Sequence, residues 1–421
     1  MARTAWNWGE FMGSFPPRST PLTVMIGCFI GCMFNPVVLI FFTLGLFFAP
    51  IQAETGWSMT QLSLVIPAET AAVALMSPVI GALLDRHGPR RVVIPSTILV
   101  GLAMGLFHLV QSIAGLYLLF VLLGLFCSGM NMMSFAKVIS AWFDGNRGLM
   151  LGIAASGTGI GTLLVSPLTQ WMIENWGWRS AYAGLGAILL FVSLPAQFLL
   201  LRDRPAGTGR QESAAHAAEP AISFAQMARS RSFLLILASF FLQAGAVNTA
   251  GAYLAPVIQE NGAPIDFAVL CVSVFGAALF GSRLLTGFLL DRVFAPLLCA
   301  GVFSAAALSL AILAAGGRTD LALVAAALLG VAAGTEGDAL GYLISRYFPH
   351  RQFGRVYSLV FTGYMISISI YPVMTGVLKD LRGSYQIPLI VMAATFVASA
   401  ALILCLGRYD RAAETPASGH G

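Results

Sequence analysis

Long runs of apolar residues, each about the length of a membrane-crossing helix, dominate this sequence. About 20 predominantly apolar residues are needed for a helix to cross the hydrocarbon core of a bilayer. Only 10% of the 421 residues are charged, whereas a soluble domain carries about 25%. Twelve apolar runs lie between charged or turn-forming clusters: 20–49, 61–84, 92–110, 115–141, 147–169, 178–201, 231–257, 264–290, 294–315, 320–345, 354–378 and 385–407. The sequence therefore predicts an all-α membrane protein with twelve transmembrane helices, numbered here as spans one to twelve.

The connectors between the runs alternate between basic and nearly uncharged. Seventeen of the 23 basic residues lie in one set of connectors and the two termini, and four lie in the other set (Arg179, Arg318, Lys379 and Arg382). Because cytoplasmic loops carry the excess of Lys and Arg, this pattern predicts that both termini are cytoplasmic. The rule also explains the net charge of +5, so the charge is not interpreted as a nucleic-acid footprint.

An internal repeat divides the chain into two halves. The segment "GALLDR" at 81–86 recurs as "GFLLDR" at 287–292, and "ISAWF" at 139–143 recurs as "ISRYF" at 344–348. Two halves that carry the same short motifs at equivalent positions are typical of secondary transporters with a binding site at the repeat interface. We predict a six-helix bundle at 1–201, a flexible cytoplasmic linker rich in Pro, Gly and Ser at 202–230, a second bundle at 231–407, and a cytoplasmic tail at 408–421.

One arginine lies deep inside an apolar run. Arg283 precedes Asp291, at the cytoplasmic end of span eight, by eight residues, which places it about 12 Å deeper, near the middle of the bilayer. A charge at that depth is costly and is expected to face a water-filled cavity or a partner. The planar guanidinium group can bind a carboxylate through two parallel hydrogen bonds. The alternative is a structural ion pair.

Two carboxylates lie at the same depth in span ten. Glu336 and Asp338 precede Arg346, at the cytoplasmic end of that span, by ten and eight residues. Two residues apart on a helix, they diverge by about 200°, so they are not expected to face the same cavity. One could pair with Arg283, and proton exchange on it would couple protons to an anion bound at that arginine. The alternative is a permanent salt bridge between spans eight and ten.

Several motifs resemble the major facilitator superfamily. "GALLDRHGPRR" at 81–91 resembles the motif between spans two and three of that superfamily, with Pro89 inserted before the final pair. "WFDGNRGLMLGIAASGTGIG", which begins at 142, and "FFAPIQAETGWSMTQLSL" at 47–64 resemble its monocarboxylate and oxalate/formate branch. The resemblance implies two pseudo-symmetric bundles and a span-eight arginine, here Arg283, that binds the carboxylate of the substrate.

The sequence also departs from that branch. Animal monocarboxylate transporters carry an acidic residue four positions before the arginine, where this chain has Leu279. The oxalate carrier has a lysine on span eleven, and "VYSLVFTGYMISISIYPVM" contains none. A monocarboxylate is therefore favoured over a dicarboxylate, with the proton-coupling residue moved to span ten.

The motif residues at the cytoplasmic ends of spans two and eight are candidates for gating. Asp85 could accept a hydrogen bond from a neighbouring helix N-terminus or a cytoplasmic arginine, holding the cytoplasmic gate in one state. The alternative is that the arginines only fix orientation. The gating candidates are Asp85, Arg86, Arg90, Asp291 and Arg292.

Further polar residues within the spans are candidates for contact with substrate. Lys137 lies seven residues before Asp144 on span four and either extends to the interface or attracts anions into the pathway. Four uncharged residues lie on spans that line the cavity in the superfamily: Asn35, Asn131, Asn248 and Tyr364. Each could instead bond a neighbouring helix.

Enzymatic and metal-binding functions are not expected. The six cysteines lie in apolar runs without a CxxC pair, so we interpret them as small buried apolar residues, and we expect no disulfide, metal or cofactor. "SGTGIGT" at 156–162 resembles a dinucleotide fingerprint but follows no strand, so we expect close helix packing there.

These features together predict a secondary transporter of a small organic monocarboxylate, with symport of protons. The alternative is an anion exchanger or exporter of the same fold. The expected partners are the organic acid, protons and the lipid bilayer, without nucleic acid. We expect a monomer in a plasma membrane, in particular a bacterial inner membrane.

Overall fold

The computed structural model describes residues 20–143, 147–203, 229–290, 292–316, 319–348 and 353–407, which form helices joined by short connectors. Eleven segments are long and apolar enough to cross a membrane. One of them, Leu149–Leu200, has 52 residues and is interrupted at Gly177, whose φ of 77° and ψ of 164° are not helical. The left-handed φ suits glycine, which has no Cβ to clash. The segment is therefore spans five and six, and the described residues form twelve spans.

The first six spans form the N-terminal half and the last six the C-terminal half. The helices of the first half are Pro21–Met33, Val37–Phe42 (π) and Leu44–Thr55 in span one, Met59–Ser63 and Val65–His87 in span two, Pro89–Gly105 and Leu106–Leu109 (3-10) in span three, Ile113–Cys127, Ser128–Met130 (3-10) and Met132–Trp142 in span four, and Arg147–Ile188, Leu189–Ser193 (π) and Leu194–Leu200 in spans five and six. Those of the second half are Arg231–Ala252 and Leu254–Glu260 in span seven, Ile265–Leu290 in span eight, Ala295–Ala315 in span nine, Thr319–Tyr347 in span ten, Phe353–Arg382 in span eleven and Gln386–Leu404 in span twelve.

The two halves pack on each other through equivalent pairs of spans. Span five packs on span eight, and span two packs on span eleven. The repeat of "GALLDR" as "GFLLDR" superimposes span two on span eight, and hence span five on span eleven. The two contacts are therefore related by the pseudo-symmetry of the repeat, and the surface between them is the repeat interface.

The two ends of the molecule differ in how closely the halves approach. We call the end where span six ends and span seven begins the linker face, and the opposite end the far face. Spans five and eight touch backbone to backbone near their middle, where a Cβ on Gly276 would lie 2.6 Å from Leu163 N and 2.8 Å from Gly159 O. Towards the linker face, Gly152 and Gly287, which lie on the same helix faces as Gly159 and Gly276, have open space beside them. The two helices therefore diverge towards the linker face.

The small residues of span five act as predicted from "SGTGIGT". Gly157 and Gly161 lie against the backbone of span one, and Gly159 lies against that of span eight. The cysteine prediction was wrong at one position, since five are buried and Cys405 is exposed. Cys405 directly follows the last residue of the span-twelve helix and forms its C-cap.

The close approach at Gly276 yields a prediction about stability. Gly276→Ala is expected to lower the free energy of unfolding by about 1–3 kcal/mol, because its methyl group meets backbone that has little room to shift. Gly301→Ala is the control, since nothing lies within 4 Å of a Cβ there. Thermal unfolding in detergent, followed by tryptophan fluorescence, measures both. An unchanged midpoint in Gly276→Ala would contradict the packing described.

Candidate functional site

Arg283 lies between the two halves without a bonded partner. Among the residues that the structure describes, its side chain makes no hydrogen bond and no ion pair, and its Nε is buried and unbonded. The guanidinium is within electrostatic range of Cys32 on span one and of Glu336 and Asp338 on span ten. The side chain as a whole is half-buried. The cation is therefore not sealed into a salt bridge, and its hydrogen-bond donors are available to an anion.

Glu336 lies at the centre of a polar cluster inside the C-terminal half. Its Oε1 accepts a hydrogen bond from Gln243 Nε2 at 2.9 Å, and its Oε2 accepts from Asn248 Nδ2 at 3.3 Å and from Tyr364 OH at 3.4 Å. Asn248 Nδ2 also donates to Tyr364 OH at 3.1 Å. We call Gln243, Asn248, Glu336 and Tyr364 the Glu336 cluster. It joins spans seven, ten and eleven through a carboxyl group that is 5% exposed, with neutral hydrogen-bond donors.

Asp338 faces a different environment, as its angular separation from Glu336 predicts. It is partly exposed and, within the described part of the chain, makes no hydrogen bond or ion pair. Gly341 follows it by three residues, hence on the same face of the helix, and has open space beside it. Arg283 and Asp338 are both half-buried, and we call the space beside them and Gly341 the vestibule.

The expected ion pair between Arg283 and a span-ten carboxylate is not formed in this structure. Both carboxylates are close enough to Arg283 for electrostatic interaction, but Glu336 is held by its own cluster and Asp338 is unbonded among the described residues. The alternative of a permanent salt bridge between spans eight and ten is therefore wrong for this conformation.

The other two predicted amides lie at helix interruptions in the N-terminal half. Asn35 precedes Pro36, and its Oδ1 accepts a hydrogen bond from Val38 N at 3.0 Å. It thereby satisfies backbone at the break in span one, where proline cannot donate. Asn131 has extended backbone at the break in span four, and no described residue bonds its side chain. Asn35 acts locally on its own helix, whereas Asn131 is open to a ligand.

Lys137 and Asp85 form an ion pair at the linker face. Lys137 Nζ donates to Asp85 Oδ1 at 2.5 Å and to Leu84 O at 2.7 Å. The sequence predicted a helix N-terminus or a cytoplasmic arginine as the partner of Asp85, so the partner found is a different one. The pair joins spans two and four of one half, and both side chains are substantially exposed. The Lys137 ammonium is thus already engaged, in contrast to that of Arg283.

The remaining motif residues have unlike surroundings. Arg90 is buried, and its Nη2 donates to Phe198 O at 2.8 Å while its backbone N donates to Asp203 Oδ1 at 3.1 Å, joining span three to the end of span six. Burial raises the pKa of the Asp203 carboxyl, against the opposing effect of that backbone hydrogen bond. Arg86 is exposed, the Arg292 guanidinium lies 3.6 Å from the centroid of the Phe288 ring, and Asp291 lies outside the described residues.

Contacts between the halves close the far face. Asp380 at the end of span eleven accepts hydrogen bonds from Met59 N at 3.0 Å and from Thr60 N at 2.7 Å, at the start of span two. Its carboxylate thus caps a helix N-terminus in the other half, a favourable place for negative charge. The buried hydroxyl groups of Ser63 and Tyr253 lie 2.6 Å apart across the same interface. The two halves are therefore in contact at the far face, whereas Gly152 and Gly341, nearer the linker face, have open space beside them.

Sequence reasoning missed two residues of this arrangement. Gln243 is a polar residue in an apolar run, a signal as strong as that of Asn248, five residues later. Asp380 lies among the charges that end span eleven, and nothing local indicates that it caps a helix more than 300 residues earlier in the chain.

Comparisons with known proteins agree with this architecture. Residues 30–372 match the family model described as Major Facilitator Superfamily. Monocarboxylate transporter 11 of Homo sapiens is 27% identical over 384 residues, which cover 86% of this chain and 76% of the relative. The probable L-galactonate transporter of Escherichia coli (strain K12) is 25% identical over 393 residues, covering 85% and 83%. The crystal structure of a D-xylose-proton symporter superimposes with a TM-score of 0.73 at 14% identity, covering 92% of this chain and 98% of that one.

Proposed function

The chain belongs to the Major Facilitator Superfamily of membrane transporters, and from that premise we propose that it carries a small organic monocarboxylate together with a proton by alternating access. The observation that supports this most directly is the unbonded guanidinium of Arg283, at mid-membrane depth between the two halves. An arginine whose donors are unpaired binds a carboxylate through two parallel hydrogen bonds, and therefore in a defined orientation. The similarity to monocarboxylate transporter 11 supports the same substrate class.

The proposed binding site places the carboxylate of the substrate on Arg283. Asn131 in span four and the Glu336 cluster lie on spans that face the same interface, so they complete the pocket from both halves. Lys137 stays paired with Asp85 and serves the linker-face gate. Asn35 maintains the break in span one and acts on the site through the backbone.

The proton is proposed to travel on Glu336. An anion on Arg283 cancels the positive charge that faces this carboxylate, and a buried charge without a compensating cation is unfavourable. Glu336 therefore takes up a proton when the anion binds, and the two cross as a neutral load. Release of the anion restores the charge on Arg283, and the proton leaves with it.

The conformational change is proposed to exchange the open linker face for an open far face. The arginine-rich ends of the spans lie at the linker face, so we assign that face to the cytoplasm and the protein to a plasma membrane, in particular a bacterial inner membrane. The ion pair of Lys137 with Asp85 and the contacts of Arg90 join spans two to four and three to six, and so keep the N-terminal half rigid at this face. The halves can then rock as bodies about the packed middle of spans five and eight.

Asp380 is proposed to act as a latch of the far face, which yields a prediction. Asp380→Ala is expected to speed hydrogen exchange of the Met59 and Thr60 amides by about tenfold, because both lose a charge-assisted acceptor that is itself exposed. Exchange measured by mass spectrometry on protein in nanodiscs tests this. Asp266→Ala, an exposed carboxylate at the start of span eight, is the control, and equal exchange in the two variants would exclude the latch.

Transport by reconstituted protein tests the proposed function as a whole. Proteoliposomes are assayed for uptake of monocarboxylates, dicarboxylates and neutral sugars, with and without a pH gradient. We expect uptake of monocarboxylates alone, driven by an acidic exterior. Uptake that requires a counter-substrate inside and ignores the gradient would instead identify the exchanger or exporter.

A further inference from the structure

Three aromatic rings form a stripe along span eleven beside Arg283. The rings of Tyr357 and Phe361 are stacked with centroids 6.0 Å apart and planes 14° from parallel. Those of Phe361 and Tyr364 are stacked at 5.4 Å and 9°. The spacing of four and three residues places all three on one face of the helix. We call Tyr357, Phe361 and Tyr364 the aromatic stripe.

The aromatic stripe faces the vestibule and not lipid. Tyr364 bonds Asn248 and Glu336 inside the C-terminal half, and Tyr357 is within electrostatic range of Glu336, Asp338 and Arg283. Phe361 lies between these two rings and is 41% exposed. Since both neighbours face the charged site, the exposed part of the Phe361 ring faces the same open space.

The wall on the other side of Arg283 is also apolar and polarisable. Cys32 on span one is buried and within electrostatic range of Arg283. Its Sγ lies 3.7 Å from Met132 Sδ on span four. Sulfur atoms make favourable contacts with the edges of aromatic rings. Cys32 itself is too buried to touch a ligand, so the half-buried Met132 is the member of this pair that could contact a molecule held on Arg283.

We propose that the acid carried by this protein bears its carboxylate on a planar aromatic ring. This inference rests on the proposed function, since it needs the carboxylate on Arg283. The carboxylate binds the guanidinium, and the ring packs in an offset arrangement on the exposed part of Phe361, the part that Tyr357 and Tyr364 leave uncovered. Offset stacking contributes beyond the burial of apolar area, so the site discriminates ring from non-ring acids of equal size.

Binding of three acids to purified protein tests the inference. The probes are benzoate, cyclohexanecarboxylate, which has nearly the same size but no planar ring, and propionate, measured by calorimetry. We expect benzoate to bind about tenfold more tightly than cyclohexanecarboxylate, the ratio that one stacking contact supplies. Phe361→Leu is expected to reduce that ratio to about twofold while propionate binding stays the same.

A control variant and the combination of results distinguish failure of the aromatic inference from failure of the proposed function. Phe191→Leu is the control, since Phe191 is 78% exposed on span six, outside the repeat interface; it is expected to leave all three affinities unchanged. Equal binding of benzoate and cyclohexanecarboxylate by the wild type would overturn the aromatic inference and leave the proposed function standing. Absence of binding by all three acids, or binding that survives in Arg283→Ala, would overturn both.

Discussion

Arg283→Ala is expected to weaken binding of a monocarboxylate by about 100-fold or more. Removing one partner of a desolvated, hydrogen-bonded charge pair costs roughly 2–5 kcal/mol, and about 2.7 kcal/mol corresponds to a factor of 100. The affinity of Arg283→Lys is expected to lie between those of the wild type and Arg283→Ala, because an ammonium keeps the charge but loses the planar, bidentate geometry of the guanidinium. Calorimetric titration of the wild type and both variants with the same acid measures these differences.

The stability of the same variant distinguishes an anchoring arginine from a structural one. A buried ion pair that loses one member destabilises a protein by about 3–5 kcal/mol. Arg283 has no bonded partner within the described residues, so Arg283→Ala is expected to unfold at the same temperature as the wild type or slightly higher. Arg292→Ala, nine residues later and stacked on Phe288, is the matched control for binding. Affinity retained in Arg283→Ala, or a large loss of its stability, would reject the anchoring role.

The depth of the charged residues could be predicted from the sequence because it follows from counting. A helix rises 1.5 Å per residue, and charges such as Arg346 mark where a span leaves the membrane. This places Arg283 and Glu336 at one level without knowledge of any contact. The divergence of Glu336 from Asp338 follows from the same periodicity and is confirmed by their different surroundings.

The partners of these residues could not be predicted, because they depend on how the helices are rotated and packed. Lys137 reaches Asp85 across two spans of the same half, although the sequence offered several nearer arginines. Asn35 could contact another helix by its sequence, but a new helical segment begins after Pro36, and Asn35 accepts from the N–H of Val38 at its start. Contacts between the halves, such as that of Asp380 with Thr60, join segments with no sequence signal in common.

Glu336 and Asp338 have equal standing in the sequence, and the contacts of Glu336 are the reason that we propose it, and not Asp338, as the proton carrier. It is the buried one, and its three hydrogen-bond donors are neutral and come from spans seven and eleven. A proton on it therefore changes contacts between three helices of the C-terminal half. Asp338 lies in the vestibule, where water can compensate its charge without affecting the packing.

Glu336→Gln is expected to abolish accumulation driven by a pH gradient while leaving exchange intact. When one anion and one proton cross together as a neutral load, a gradient of one pH unit supports about tenfold accumulation of the substrate, since one pH unit corresponds to about 1.36 kcal/mol. The amide oxygen can still accept from Asn248 and Tyr364, and the new amide N–H can donate to Gln243 Oε1 once that side-chain amide turns over. The variant cannot carry a proton, so we expect accumulation to fall to about onefold. Exchange of labelled for unlabelled substrate needs no net proton movement and is expected to stay within about threefold of the wild type.

Asp338→Asn is the matched control, since it makes the same chemical change at the same depth two residues away. We expect it to retain accumulation close to that of the wild type, because Asp338 is bonded to none of the described residues. If Asp338→Asn loses accumulation and Glu336→Gln keeps it, the proton carrier is the vestibule carboxylate and the Glu336 cluster is structural. If both variants concentrate the substrate normally, neither carboxylate couples transport to protons. Anion exchange is then a better explanation of the site than proton symport. Because exchange is assayed in the same vesicles, a variant that fails to fold loses both activities and is not mistaken for an uncoupled one.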